Sequence, residues 1–183
     1  MYLIFLNMQV NTHIYAGKGS SDVKLLQVSD LINELEKIID PRMPLFICGD
    51  INSSPGSDPY VLLTKHEVNP TCAEAPDPLC INEHLKLHHS MNLGSAYASA
   101  FNDIGQRMSM IHPKTGEPFF TRLTPLHENT LDYIFYTENS LEVEGLLELP
   151  DKESVGGALP SPLWSSDHIA LMGCFRITRP FLG

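Results

Sequence analysis

The amino-acid sequence predicts a single α/β domain, and three observations support this fold class. The chain has 183 residues, of which 43% are hydrophobic and 19% charged, and this is enough for one sizeable core. Strand-like apolar runs alternate with an amphipathic helical pattern. The predicted strands repeatedly end in polar, chemically capable residues, as expected when a rigid sheet presents a site at its rim.

The first three predicted elements are a strand, a helix and a strand. Residues 2–12 are predicted to form a strand that is buried on both faces and ends at "NTH". In the following segment "VKLLQVSDLINELEKII", apolar residues recur every three or four positions, which predicts an amphipathic helix ending at Asp40-Pro41. Residues 43–49, within "MPLFICGD", are predicted to form a second buried strand. The candidates for the helix N-cap are Ser20, Ser21 and Asp22.

The remainder of the chain is predicted to contain one short helix and several strands. The helix covers residues 60–65, and residues 69–89 are predicted to form an irregular loop with weak periodicity. Residues 91–103 fit either a short helix or an extended segment. The predicted strands are 118–124, 130–137, 141–149 and 168–177.

Composition restricts the partners and compartment of the protein. There are 12 basic and 22 acidic residues, so the net charge of −10 argues against a broad basic surface for nucleic acid. It does not exclude an enzyme that meets phosphates through bound cations. The four cysteines form no CxxC pair, which favours a reducing, intracellular setting. No apolar run reaches membrane-spanning length, so we expect no membrane partner.

Four predicted strand boundaries carry Asp, Asn or His, and together they indicate a metal and phosphate site. Carboxylates, an amide and imidazoles can hold Mg²⁺ and position a water on a phosphate. Such oxygen-rich ligands favour Mg²⁺ or Mn²⁺ over Zn²⁺. Each motif alone also fits an Asx turn, an N-cap or a structural histidine, but their joint occurrence favours a site. The candidates are His13, Asp50, Asn52, Asp132, Asp167 and His168.

The order "NTH", "GDIN", "LDYIFYT" and "SSDH" resembles the endonuclease/exonuclease/phosphatase superfamily, which is related to deoxyribonuclease I. The segments "DVKLLQ", "FICGDINSSPGS", "LDYIFYT" and "ALPSPLWSSDHIAL" resemble the carbon catabolite repressor 4 deadenylases, especially the plant branch. The resemblance runs from about residue 7 to residue 177. It implies a four-layer α/β sandwich of the deoxyribonuclease I type, with two mixed sheets packed face to face and helices outside.

The reaction implied by this resemblance is Mg²⁺-dependent phosphodiester hydrolysis that releases 5′-AMP from the 3′ end of poly(A). Mn²⁺ is an alternative metal. Asp50 is then expected to hold metal and orient the attacking water, and Asn52 to bind metal or a phosphoryl oxygen. Asp167 and His168 complete the metal-binding set that the resemblance implies.

The same resemblance assigns roles around the scissile phosphate. His168 is expected to contact this phosphate, with Asp132 orienting its imidazole. His13 is expected to contact a phosphate oxygen and stabilise developing charge. The implied partners are poly(A) RNA and scaffold subunits of a deadenylase complex, although the scaffold-binding repeats are absent from this chain. The implied location is the cytoplasm and nucleus.

The chain departs from the family pattern in two respects. The family site also uses an Asn and a metal-binding Glu from the N-terminal half of the domain, whereas the first acidic residue here is Asp22. We therefore expect residues 1–183 to be the C-terminal portion of one catalytic domain, with the N-terminal half missing, weak activity at best and aggregation-prone strand edges. Lys18 and His127 stand where animal enzymes clamp adenine with Pro and Phe. His127 is expected either to stack on a base or to be an exposed loop residue.

Two other functions stay open at this point. The first is a different superfamily phosphodiesterase or a nucleotide phosphatase. The second is a truncated, non-catalytic binding module.

Overall fold

A computed structural model of the chain describes residues 7–69, 86–99 and 109–179. The strands are β1 (Met8–His13), β2 (Leu45–Asp50), β3 (Leu93–Ser95), β4 (Arg122–Thr124), β5 (His127–Asn129), β6 (Asp132–Thr137), β7 (Leu141–Leu146) and β8 (Gly173–Ile177). The helices are α1 (Ser21–Ile38), α2 (Asp58–Lys65) and α3 (Ala96–Ser99).

A mixed four-stranded sheet in the order β1-β2-β6-β3 forms the centre of the described structure. β1 and β2 are parallel and are connected through α1, because parallel neighbours need a crossover. β6 runs antiparallel to both β2 and β3. In this register His13 lies opposite Asp50, and Asp50 lies opposite Asp132, so three predicted site residues form one row across the sheet.

Helices α1 and α2 cover one face of this sheet and form the main core with it. The buried positions of α1 follow the helical spacing of its apolar residues, and they meet the buried side chains of β2 and β6. This packing is the reason that α1 forms where the sequence predicts it. The core includes Leu25, Val28, Ile32, Leu35, Leu45, Ile47, Leu62, Leu63, Tyr133 and Phe135.

The β7–β8 hairpin packs against part of the opposite face of the sheet. The ring of Phe175 in β8 meets the ring of Phe46 edge-on with 4.9 Å between centroids, and it also contacts Tyr136. A third core lies between the two-stranded β4–β5 sheet and the loops that flank it. Its buried side chains include Phe120, Leu123, Leu149, Leu159 and Ile169.

Several predicted elements are confirmed with small shifts of their boundaries. The predicted α1, β2 and β6 are all present. α2 begins two residues before its predicted start, with Asp58 in its first turn and a proline among its first residues. The ambiguous segment 91–103 contains both a short strand and a short helix within its described part. Most of the predicted loop 69–89 and residues 100–103 lie outside the described residues.

Three predicted strands are wrong in extent. The last strand begins at Gly173 rather than at residue 168, since β8 pairs with β7 while His168 forms an isolated bridge to Arg122. In the predicted strand 118–124, the structure forms β4 over its last three residues. The predicted strand 141–149 ends at Leu146.

The prediction that the first strand is buried on both faces is also wrong over its described part. Residues of β1 alternate between partly buried and exposed, and Gln9, Asn11 and His13 are exposed. The reason is that the β7–β8 hairpin covers β2 and β6 on this face, while β1 lies at the end of the described sheet. Residues 2–6 of the predicted strand lie outside the described part of the chain.

Within the described ranges, no helix has the length and apolar character needed to cross a membrane.

Candidate active site

The candidate site lies at the end of the central sheet where β1 and β2 finish and β6 begins. His13 and Asp50 are the last residues of their strands, and Asp132 is the first residue of β6. The antiparallel direction of β6 explains why a strand start meets two strand ends. His13 Nε2 lies 3.5 Å from Asp50 Oδ2, so the first two side chains of the row are in contact.

A tight turn after β2 fixes the Asp50 carboxylate. The backbone N–H of Asn52 donates to Asp50 Oδ1 at 2.7 Å, which is an Asx turn, and Asn52 adopts the left-handed conformation with φ of 50°. The Asn52 side chain donates from Nδ2 to the backbone carbonyl of Ile14 at 2.8 Å. Lys24 of α1 donates from Nζ to the Asn52 carbonyl at 2.7 Å. The turn is therefore tied to α1 and to Ile14, the residue that follows β1.

His168 reaches the row from a loop rather than from a strand. Its backbone pairs with Arg122 of β4 in an isolated bridge, and its Nδ1 lies 2.8 Å from Asp132 Oδ2. The Thr121 hydroxyl donates to the same oxygen at 2.6 Å and accepts from the N–H groups of Leu131 and Asp132. With the Asp132 carboxylate as acceptor, Nδ1 of His168 carries a proton and donates this hydrogen bond. Nε2 lies 4.0 Å from Asp50 Oδ2.

The donor set of Asp50, Asp132 and His168 fits a divalent cation. One ligand atom from each residue lies within 4.8 Å of the other two. Burial raises the pKa of Asp50, and the nearby charge of Asp132 raises it further. The hydrogen bond from the Asn52 N–H and the charges of His13 and His168 lower this pKa, but the net shift is upward. Two neighbouring carboxylates repel each other, and a bound cation relieves this repulsion. Mg²⁺ is commonly held by one or two carboxylates together with substrate phosphates.

Basic side chains border this acidic group. Burial lowers the pKa of Lys24, and the nearby charge of Asp50 opposes that shift. Arg122 Nε donates to Asp167 Oδ2 at 3.0 Å. Partial burial raises the pKa of Asp167, but the hydrogen bond from Arg122 and the charge of His168 outweigh it, so this pKa lies below its usual value. Asp167 is consequently held as a carboxylate beside the site.

The structure brings four of the predicted site residues together and places three others around them. His13, Asp50, Asp132 and His168 form a contiguous group. Asn52 holds the turn next to Asp50. Asp167 pairs with Arg122 outside the three-residue donor set. His127 lies in β5, where its Nε2 is 2.9 Å from Lys18 Nζ.

Three residues at the site were not predicted: Thr121, Lys24 and Arg122. Thr121 is fully buried and orients Asp132, and Lys24 holds the turn from a helix. Each acts through a partner at least ten residues away along the chain. No local motif marks such residues, because their roles arise from tertiary contacts.

Residues 17–168 match the model of the Endonuclease/Exonuclease/phosphatase family. The chain belongs to this family. The match ends at His168 and contains the whole donor set of Asp50, Asp132 and His168. The family resemblance inferred from the sequence motifs is thereby confirmed.

Curated relatives extend the match to carbon catabolite repressor 4 proteins. The chain is 46% identical over 177 residues to carbon catabolite repressor protein 4 homolog 1 of Arabidopsis thaliana, and the alignment covers 91% of this chain and 29% of that protein. It is 31% identical to the CCR4-Not complex 3′-5′-exoribonuclease subunit Ccr4 of Aspergillus niger, covering 92% of this chain and 28% of that protein. The chain thus spans less than a third of the length of these relatives.

Solved structures confirm the predicted fold class. ANGEL2, described as a 2′,3′-cyclic phosphatase, superposes with a TM-score of 0.71 at 24% identity, covering 93% of this chain and 57% of that one. The human Nocturnin catalytic domain superposes with a TM-score of 0.58 at 25% identity, covering 92% and 46%. The described sheets and helices have the deoxyribonuclease I-like fold of these neighbours.

Proposed function

We propose that the chain is part of a Mg²⁺-dependent 3′-to-5′ exoribonuclease that removes poly(A) and releases 5′-AMP. The observation that carries this proposal is the convergence of Asp50, Asp132 and His168 within 4.8 Å. The 31% identity to a relative from Aspergillus niger that is named a 3′-5′-exoribonuclease subunit supports RNA as the substrate class. The described residues would then form one portion of a single catalytic domain.

Asp50, Asp132 and His168 would hold the metal ion. Asn52 follows Asp50 in the same turn, and its side-chain oxygen is a further candidate ligand. A bound Mg²⁺ supplies charge stabilisation for the phosphoryl group and lowers the pKa of coordinated water. Mn²⁺ prefers similar ligands and would substitute.

The protein residues would supply orientation and hydrogen bonds at the phosphate. Thr121 fixes the Asp132 carboxylate, and Asp132 fixes the tautomer and ring orientation of His168. This directs Nε2 of His168 toward Asp50, so Nε2 is the atom through which His168 would bind the metal ion. His13 would donate a hydrogen bond to developing negative charge on the opposite side of Asp50.

The proposed cellular partners follow from the same similarity. The relative from Aspergillus niger is named as a subunit of the CCR4-Not complex. We therefore propose association with scaffold subunits of such a complex and a location in the cytoplasm and nucleus.

The proposal is tested by incubating purified chain and a 5′-labelled oligo(A) with Mg²⁺, with and without chelator. We expect metal-dependent shortening from the 3′ end, with 5′-AMP as product, and a loss of about 100-fold or more in rate for Asp50→Asn. A calorimetric titration with Mn²⁺ provides a second measurement, in which Asp50→Asn should weaken binding. Asp30→Asn is the matched control, because Asp30 is exposed on α1.

Two outcomes would contradict the proposal. Hydrolysis of oligo(A) that is equal in wild type and Asp50→Asn would exclude this site as its origin. Absence of RNA shortening together with metal-dependent release of phosphate from mononucleotides or 2′,3′-cyclic nucleotides would instead identify a nucleotide phosphatase.

A further inference from the structure

One face of the β4–β5 hairpin carries a row of polar side chains that begins at the metal-binding group. Arg122 lies opposite Asn129, and Thr124 lies opposite His127. Directly opposed residues, and residues two apart on one strand, direct their side chains to the same face. Leu123 points to the other face and is buried in the core. We call the set of Arg122, Thr124, His127 and Asn129 the hairpin strip.

The strip is continuous with the candidate active site. His168 is the bridge partner of Arg122 on the side of β4 away from β5, so its side chain shares the face of the strip. His168 in turn contacts Asp132 at 2.8 Å. A ligand bound at the metal group therefore meets Arg122 first and His127 further away, two strand residues or about 7 Å along β4.

Two cations are placed along this strip in a chain whose net charge is −10. The Arg122 side chain is partly exposed and donates from Nε to Asp167, and among the described residues its terminal N–H groups have no acceptor, so they can donate to a ligand. Lys18 reaches across from the loop after β1 and lies 2.9 Å from His127. This contact joins segments 109 residues apart and brings an ammonium group to the far end of the strip.

We propose that Arg122, His127 and Lys18 bind the phosphodiester backbone next to the scissile phosphate. Guanidinium and ammonium groups are the side chains that bind phosphate best, and a hydrogen-bonding imidazole between them adds a further contact. A mononucleotide bound at the metal group has no second phosphate for the far end of the strip. The strip thus selects polymeric nucleic acid, which deepens the proposed function and rests on it.

The test is a binding measurement that does not require hydrolysis. Fluorescence anisotropy of labelled oligo(A) and oligo(U) is followed against the full chain in EDTA over a range of salt concentrations. Arg122→Gln and Lys18→Gln should each weaken the binding of both oligonucleotides to a similar extent. Each variant should reduce the slope of log affinity against log salt by roughly 0.7, the value for one phosphate contact on a single strand.

Arg176→Gln is the matched control, because Arg176 is paired with Glu142 on the separate β7–β8 hairpin. It should leave affinity and slope unchanged. Lys18 lies on an exposed loop, so Lys18→Gln still tests the strip if Arg122→Gln fails to fold.

Three results would contradict the proposed phosphate binding by the strip. They are wild-type chain that binds neither oligonucleotide, variants whose salt slope equals that of wild type, and a loss of affinity restricted to oligo(A), which indicates a base contact. Hydrolysis assays report separately on the proposed function. An inactive chain with the expected salt slopes would contradict the nuclease proposal and retain the strip. An active chain whose variants keep the wild-type salt slope would support the nuclease proposal and contradict the proposed role of the strip.

Discussion

Gly49 precedes Asp50 in β2 and shows how one residue permits the geometry of the site. Its φ of 146° is a conformation that side-chain-bearing residues rarely adopt, and a Cβ placed there would collide with the backbone carbonyl of Thr12 in β1. Gly49 therefore lets β1 and β2 approach closely just before their last residues. The contact between His13 and Asp50 depends on this approach.

Gly49→Ala should destabilise the protein and displace Asp50 from His13. We expect a loss of about 1–3 kcal/mol in the free energy of unfolding, the cost of one strained backbone position. Urea denaturation measures this loss, with Gly145→Ala as control, because the nearest atom to a Cβ at Gly145 is at 4.0 Å. Equal urea midpoints for the two variants would show that the backbone at Gly49 does not require glycine.

At the scale of elements, a buried carboxyl group connects α2 to the loop before β4. The side chain of Glu117 is 1% exposed, and the Tyr60 hydroxyl of α2 donates to its Oε1 at 2.8 Å. Burial raises the pKa of Glu117 to about 7, from an ordinary value of 4.5. Glu117 is therefore largely protonated in the folded protein at weakly acidic pH, when it is ionised in the unfolded chain.

The stability of the fold should consequently fall as pH rises from about 4.5 to about 7. In this pH window the folded protein keeps a proton that the unfolded chain has lost. The full pKa shift of Glu117 corresponds to roughly 3 kcal/mol in the free energy of unfolding. Glu117→Gln keeps the acceptor for Tyr60 and should remove this component of the pH dependence. The measurement is the free energy of unfolding of wild type and variant at several pH values.

Glu34→Gln is the control for this prediction, since Glu34 is largely exposed on α1. A constant difference in stability between wild type and Glu117→Gln across pH 4.5 to 7 would contradict the assigned shift.

At the scale of the whole molecule, the outer edge and one face of β1 are uncovered among the described residues. β1 pairs with β2 on one side, and its exposed face carries polar side chains such as Gln9 and Asn11. An uncovered strand edge is a template for pairing with another chain. We therefore expect the chain to self-associate through the edge of β1.

Asn11→Lys should reduce concentration-dependent association of the chain, because a charged side chain on an edge strand opposes strand pairing. Sedimentation velocity over a range of protein concentrations measures this effect. Asn139→Lys adds the same charge at an exposed turn and serves as control. If both variants associate as wild type does, the β1 edge is not the contact.

The order of elements around the site could be predicted because each has a local signal. The apolar spacing of α1 and the apolar run of β2 are properties of neighbouring residues, and the same is true of the turn residues after Asp50. The bounds of the last strand could not be predicted, because the segment 169–175 is a continuous run without a charged residue, whereas residues 168–177 pair with two different partners. Strand pairing is a tertiary property that composition alone does not encode.

The sequence by itself determined the family, the α/β class and the residues at the centre of the site, because these are written in short motifs at strand boundaries. The tertiary structure alone decided which side chains support that centre. Thr121 and Lys24 orient it, and Arg122 borders it, through contacts between segments that are distant in sequence. It also decided that β1 has an exposed face, because the packing of the β7–β8 hairpin, and not the apolarity of β1, determines what is covered.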